Sequence, residues 1–156
     1  TVFVYNLPRQ FNLDIIDDSL YSNNGFGSPT NATFSSSIPP DLATSWFHTE
    51  QFALEVIFHS RMNRHPCRTD SPEKATAFYF PFYPGLAVAQ NLLRKNATHE
   101  ELDGQCNSAM EWLKKQSHFR RFHGRDHFIV FSRITWDFRR GKLSDWGSSC
   151  IYHPTM

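Results

Sequence analysis

The stretch Ala77-Phe78-Tyr79-Phe80-Pro81-Phe82-Tyr83-Pro84-Gly85 decides how the chain is organised. Ala77 to Phe80 is a continuous apolar run halted by proline. An unbroken run of this kind marks a strand covered on both faces, not one that turns alternate residues to water. The flanking sequence supplies covering helices. Residues 85–95 carry Leu86, Ala89, Leu92 and Leu93 at helical spacing, and residues 105–116 carry Ala109, Trp112 and Leu113. Upstream, Ser71-Pro72-Glu73 sets a cap residue before proline at a first helical position, which predicts a short helical turn. Residues 49–64 are also helical in pattern. Phe52, Val56 or Ile57, and Ser60 share a face, with Ala53, Ile57 and Phe58 beside it. Thr49 is the cap, and Glu50 sits in the first turn, where the helix dipole favours an acid.

Further strands follow the same logic. Thr1 to Leu7 is β-branched or aromatic and stops at Pro8, His127 to Phe131 reads as a third strand, and Cys150 to Tyr152 as a fourth. Strands that alternate with helices imply βαβ crossovers. The expected fold is therefore α/β, a Rossmann-like half-domain with a mainly parallel sheet, spanning residues 1–156 as one domain. Residues 21–45 are rich in Ser, Asn, Gly and Pro and are expected to form a mobile loop.

Composition narrows the function. Sixteen basic residues against fifteen acidic ones give a net charge of +1, without the basic excess of a nucleic-acid binder. No apolar run nears the roughly 20 residues that cross a bilayer, so any membrane anchor is expected outside this chain. Cys67, Cys106 and Cys150 lie too far apart for a zinc-ligand spacing, and their odd number leaves one free or paired elsewhere. Two sequons, Asn31-Ala32-Thr33 and Asn96-Ala97-Thr98, are compatible with a secretory protein.

Ligands of open parallel sheets bind beyond the carboxyl ends of the strands. That rule selects three loops: Asn6, Pro8 and Arg9 after the first strand; Pro81 to Gly85 after the second; Ser132, Arg133, Thr135, Trp136 and Asp137 after the third. Asn6 and Arg133 are candidate substrate contacts there. Asp137 is the acid placed for base chemistry, with a salt bridge to Arg133, Arg139 or Arg140 as the alternative role. Tyr83 and Trp136 are of the type that stacks on sugar rings or packs beneath the rim. Phe122-His123-Gly124-Arg125-Asp126-His127 enters a strand, at the opposite end, so Arg125, Asp126 and His127 are read as structural. The histidines form no metal motif, and no phosphate-binding or nucleophile-elbow motif is present.

Several ordered blocks resemble one family. Cys67-Arg68-Thr69-Asp70-Ser71-Pro72-Glu73 leading into Phe78-Tyr79-Phe80-Pro81-Phe82-Tyr83, and Gly124-Arg125-Asp126-His127-Phe128, are similar to the exostosin glycosyltransferases. Glu50 to His59, Arg133 to Arg140 and Ser144-Asp145-Trp146-Gly147 resemble its plant xyloglucan galactosyltransferase branch. Relatives often carry His-Asp-Trp-Gly after the third strand; here Thr135-Trp136-Asp137-Phe138 occupies that place and keeps only the aspartate.

The resemblance implies the N-terminal, acceptor-side half of a GT-B enzyme anchored in the Golgi membrane and facing its lumen. Such an enzyme transfers a sugar, galactose by this likeness, from a UDP-sugar to a xyloglucan-type polysaccharide with inversion and without an essential metal. The donor site belongs to a C-terminal domain outside this chain, so no cofactor is expected here and this half alone is expected to be inactive. Asp137 and, second, Glu50 correspond to family acids that could serve as the acceptor base. The rival expectation is a non-catalytic relative that binds carbohydrate or partners an active subunit.

Overall fold

The computed structural model describes residues 1–17, 51–92, 96–140 and 146–151. The expected loop at 21–45, the sequon residue Asn31, and Thr49 and Glu50 lie outside the described residues.

Four strands form one sheet in the order β2-β1-β3-β4: β1 is Val2–Val4, β2 Arg68–Thr69, β3 Ala77–Tyr79 and β4 His127–Phe128. Every pairing is parallel, with Phe3 opposite Thr69 and Phe78, and Phe78 opposite His127. The α/β half-domain with a parallel sheet is thus what the chain forms. The strands are shorter than the apolar runs suggest, although the ladder continues through Tyr5 N–H to Tyr79 O and Phe80 N–H to Phe128 O. Strand β2 was not apparent from the sequence. Residues 70–76 carry the chain from it beneath the end of β1, where the Thr1 carbonyl accepts the N–H groups of Thr76 and Ala77. Of the fourth strand expected at Cys150 to Tyr152, the described residues Cys150 and Ile151 pair with no strand. Cys150 and Ile151 lie in bends, because a disulfide and not a ladder holds that segment.

Among the described residues the α-helices are α1 (Leu13–Asp17), α2 (Leu54–Met62), α3 (Pro84–Leu92), α4 (His99–Lys114) and α5 (Ser117–Arg121). Proline opens α3 where its missing N–H costs nothing. Helix α4 begins six residues before the apolar pattern does, on a reciprocal cap in which Thr98 accepts from Glu101 N–H while Glu101 accepts from Thr98 N–H.

Layers cover both faces of β3, which explains its unbroken apolar run. Tyr79 faces α2, its ring 5.0 Å from that of Phe58. Phe78 and Phe80 face α5 and α4, with ring centroids 5.4 Å from His118 and 6.3 Å from Trp112. Phe78, Tyr79, Phe80, Phe82 and Tyr83 are all at most 2 % exposed. At the amino end of β4, the Tyr5 hydroxyl reaches His127 Nε2 at 2.8 Å, and His127 Nδ1 meets Asp126 at 2.7 Å. Burial keeps the imidazole neutral by lowering its pKa. In that state Nδ1–H donates to the carboxylate and Nε2 accepts from the tyrosine. The array ties the end of β1 to β4 inside an aromatic cluster, a structural use of Asp126 and His127.

Candidate functional site

Three loops beyond the carboxyl ends of β1, β3 and β4 are bonded together. Asn12 donates from Nδ2 to the Pro81 carbonyl at 3.1 Å, and Tyr83 N–H donates to Phe11 O at 3.2 Å. These bonds join the loop after β1 to that after β3. Glu55 joins the loop after β3 to that after β4: its carboxylate accepts from Gly85 N–H at 2.8 Å, Leu86 N–H at 3.3 Å and Ser132 N–H at 2.9 Å.

Glu55 is fully buried on α2. Burial pushes its pKa up to about 7, against the pull of the three backbone donors toward the ionised form. The helical pattern had put Ile57 on the inner face, yet Ile57 is 36 % exposed and the acid lies inside. The reason is the partner. The first turn of α3 has unsatisfied N–H groups, and a carboxylate from a neighbouring helix satisfies them. Gly85 is part of the same fit, since a Cβ there would collide with the Ser132 side chain and meet Glu55 Oε1 at 2.8 Å.

Tyr83 is 1 % exposed and its hydroxyl lies 2.8 Å from His59 Nδ1. Desolvation lowers the His59 pKa to about 4 and raises that of Tyr83, so the phenol donates to a neutral ring. Tyr83 therefore supports the rim from below, and the expectation that it stacks on a sugar is corrected by its lack of any accessible face. Asn6 is exposed on the loop after β1.

Beyond β4, residues 135–138 make a 3₁₀ turn. It presents Ile134 and Trp136, each 67 % exposed, outward, and folds Asp137 in at 6 %. Asp137 accepts the Trp146 indole N–H at 3.0 Å and faces Arg133 Nη1 at 3.4 Å. The Arg133 guanidinium also lies over the Phe52 ring, 3.9 Å from its centroid. Of the three arginines named as partners for Asp137, Arg133 is bonded to it, and Arg140 pairs with Asp103 on α4. Asp103, unremarked in the sequence, also accepts from Ser148 Oγ, Ser149 N–H and Ser149 Oγ. Together with the Cys106–Cys150 disulfide it fastens residues 146–150 to α4. Cys67 is free and exposed.

The arrangement is a rim whose loops are braced from beneath by buried polar groups and which shows an open indole above. An exposed indole on such a rim is of the type that stacks on a sugar ring. Among the described residues no group of three or more His, Cys, Asp or Glu could hold a metal ion, and no helix is long and apolar enough to cross a membrane.

The profile of the Exostosin GT47 domain matches residues 1–155. Xyloglucan galactosyltransferase XLT2 of Arabidopsis thaliana is 49 % identical across 99 % of this chain, which covers 32 % of that protein. The probable xyloglucan galactosyltransferase GT17 of the same plant is 35 % identical over 97 % of the chain and 33 % of its own length. Xyloglucan-specific galacturonosyltransferase 1, also from Arabidopsis thaliana, is 34 % identical over 99 % of the chain and 24 % of its length. The chain thus spans about a third or less of these curated relatives. No solved structure matches it.

Proposed function

The chain belongs to the exostosin GT47 family, and from that membership we propose that it is the acceptor-side half of a xyloglucan glycosyltransferase. The whole enzyme moves galactose from a UDP-sugar to a side-chain xylose of a xyloglucan-type polysaccharide, with inversion at the anomeric carbon. The donor binds in a C-terminal domain that lies beyond this chain, and the acceptor lies along the rim near Trp136 and Asn6. The observation that carries this reading is the 49 % identity, running almost end to end, to a xyloglucan galactosyltransferase. The exposed Trp136 on the braced rim supports a carbohydrate ligand. The protein works in the Golgi lumen on a membrane anchor outside this chain; the Cys106–Cys150 disulfide supports an oxidising compartment.

Inverting transfer needs a group to take the proton of the acceptor hydroxyl as that oxygen attacks the sugar. Asp137 has both carboxylate oxygens engaged and is 6 % exposed, which favours a positioning role, holding Arg133 and Trp146 in place. We therefore assign the base to Glu50, the other acid that the family pattern marks.

The test uses the full-length protein with a xyloglucan acceptor lacking galactose and, in parallel, UDP-galactose and UDP-galacturonic acid. A β-galactosyl product from the first donor is the expected result. A product only from the second would correct the donor, and none from either would remove the enzymatic reading in favour of a non-catalytic partner subunit.

A further inference from the structure

A cavity of about 430 Å³ lies between the end of α3, the start of α4 and the turn at Trp146 and Gly147. Its size falls in the range of roughly 300–1,000 Å³ that holds small ligands. The wall combines the Trp146 indole, Leu92 and Leu102 with the polar Asn96, Thr98 and His99. That mixture suits a pyranose, which has an apolar C–H face and a polar edge of hydroxyls. Trp146 is 41 % exposed, and its indole N–H is already held by Asp137, which restrains the ring before any ligand arrives.

Asn96 is the first residue of the sequon Asn96-Ala97-Thr98. It is exposed and has a left-handed φ of 68°, which turns the chain just ahead of α4. The Cys106–Cys150 disulfide forms under the oxidising conditions of the secretory route, where such sequons are modified. Asn96 and Trp146 thus line one cavity.

We propose that Asn96 carries an N-linked glycan whose first N-acetylhexosamine occupies this cavity against Trp146 and holds residues 146–150 on α4. The donor is an oligosaccharide on a polyprenyl diphosphate. The Asn96 amide nitrogen forms a bond to sugar C1 as the C1–O bond to phosphate breaks; the amide loses a proton to solvent and the diphosphate departs with the bonding pair. The sugar then acts as a packing element of the fold, independently of the catalytic reading.

Full-length protein purified from the membranes of a eukaryotic host gives the test. Glycopeptide mass spectrometry reads occupancy at Asn96, and hydrogen exchange reads protection of residues 146–151. Asn96→Gly and Asn96→Asp delete the sequon while tolerating the left-handed backbone and leaving the Thr98 cap intact. Each should raise exchange in 146–151 about two- to tenfold, as should Trp146→Ala, the range expected for one aromatic contact. Each double variant should exchange no faster than its faster parent. Amidase removal of the glycan from the folded protein repeats the comparison without a folding step, and should raise exchange in wild type but not in Trp146→Ala. An unmodified Asn96, or glycan and Trp146 effects that simply multiply, overturns the proposal.

Discussion

Trp146 donates its indole N–H to Asp137 across 3.0 Å, and the main chain repeats the grip. Ser148 N–H donates to the Asp137 carbonyl at 2.8 Å. Gly147 turns between them at φ 73°, so close that a Cβ would come within 2.5 Å of that carbonyl oxygen. Asp137→Asn in the full-length enzyme replaces an acceptor oxygen with an NH₂ that must face one of two donors. The expected loss is about 1–3 kcal/mol of stability in urea unfolding, the cost of a buried donor without its partner. Turnover should stay within tenfold of wild type. Loss of transfer with unchanged stability would return the base role to Asp137.

Glu50→Gln should show the opposite pattern. An amide cannot accept the acceptor proton, so kcat for transfer to xyloglucan should fall about 10²- to 10⁴-fold. Xyloglucan binding and the unfolding midpoint should stay where they are. Near-normal kcat in this variant would leave the base elsewhere.

Glu55 links stability to pH. Its folded pKa of about 7 lies above the ordinary carboxyl value of 4.5, so its contribution is full below about pH 4.5 and is lost as pH rises through 7. His59, lowered to about 4, acts in reverse: its contribution is full above the ordinary 6.5 and is lost as pH falls toward 4. The two oppose each other in the whole protein. The difference in unfolding free energy between wild type and Glu55→Gln isolates the first, and should move against wild type from pH 5 to pH 8. A difference that is flat with pH would remove Glu55 as the linked group.

Gly85→Ala should cost roughly 1–3 kcal/mol, because the added methyl has to displace the Ser132 side chain or the Glu55 carboxylate. Its effect should shrink in a Glu55→Gln background, where the first turn of α3 is already less firmly held. Full additivity of the two changes, read by urea unfolding, would mean that the two sites do not share this contact.

Cys106→Ser or Cys150→Ser opens a loop with a sequence separation of 44 residues. Either should cost roughly 2–5 kcal/mol and speed hydrogen exchange in 146–151 more than in β1 or β3. Uniform loss of protection across the chain would show that the disulfide stabilises the whole domain and not this segment.

The sheet was legible because β3 lies in an apolar run and β4 opens into another, Phe128 to Phe131, and such runs need no tertiary information to be read. The loops that meet at the rim then followed from the rule that parallel strands end on one side. What escaped was polar. Glu55 sits among apolar neighbours on a helix, and from the sequence it looks like one more solvated acid. Its role depends on the N–H groups of a helix thirty residues later. Asp103 is hidden for the same reason, its partners coming from residues 140–149. The two residues of β2 form a strand only because β1 offers an edge to pair with. A cue for Glu55 did exist: an acid placed where α2 should be apolar, upstream of a Pro-Gly helix start.

The place of β1 in the sheet also orders events during synthesis. Its two neighbours, β2 and β3, are separated by residues 70–76 alone, whereas the whole of residues 5–67 lies between β1 and the nearer of them. Both edges of β1 are therefore open until the ribosome has delivered residues 68–79, and then both close almost together. Until that moment a β-branched, aromatic segment presents two unpaired edges, a template on which another nascent chain can add. The closure of one long loop sets the pace of the sheet. A slowed ribosome anywhere between residues 18 and 67 would thus lower the yield of soluble protein without altering a single native contact.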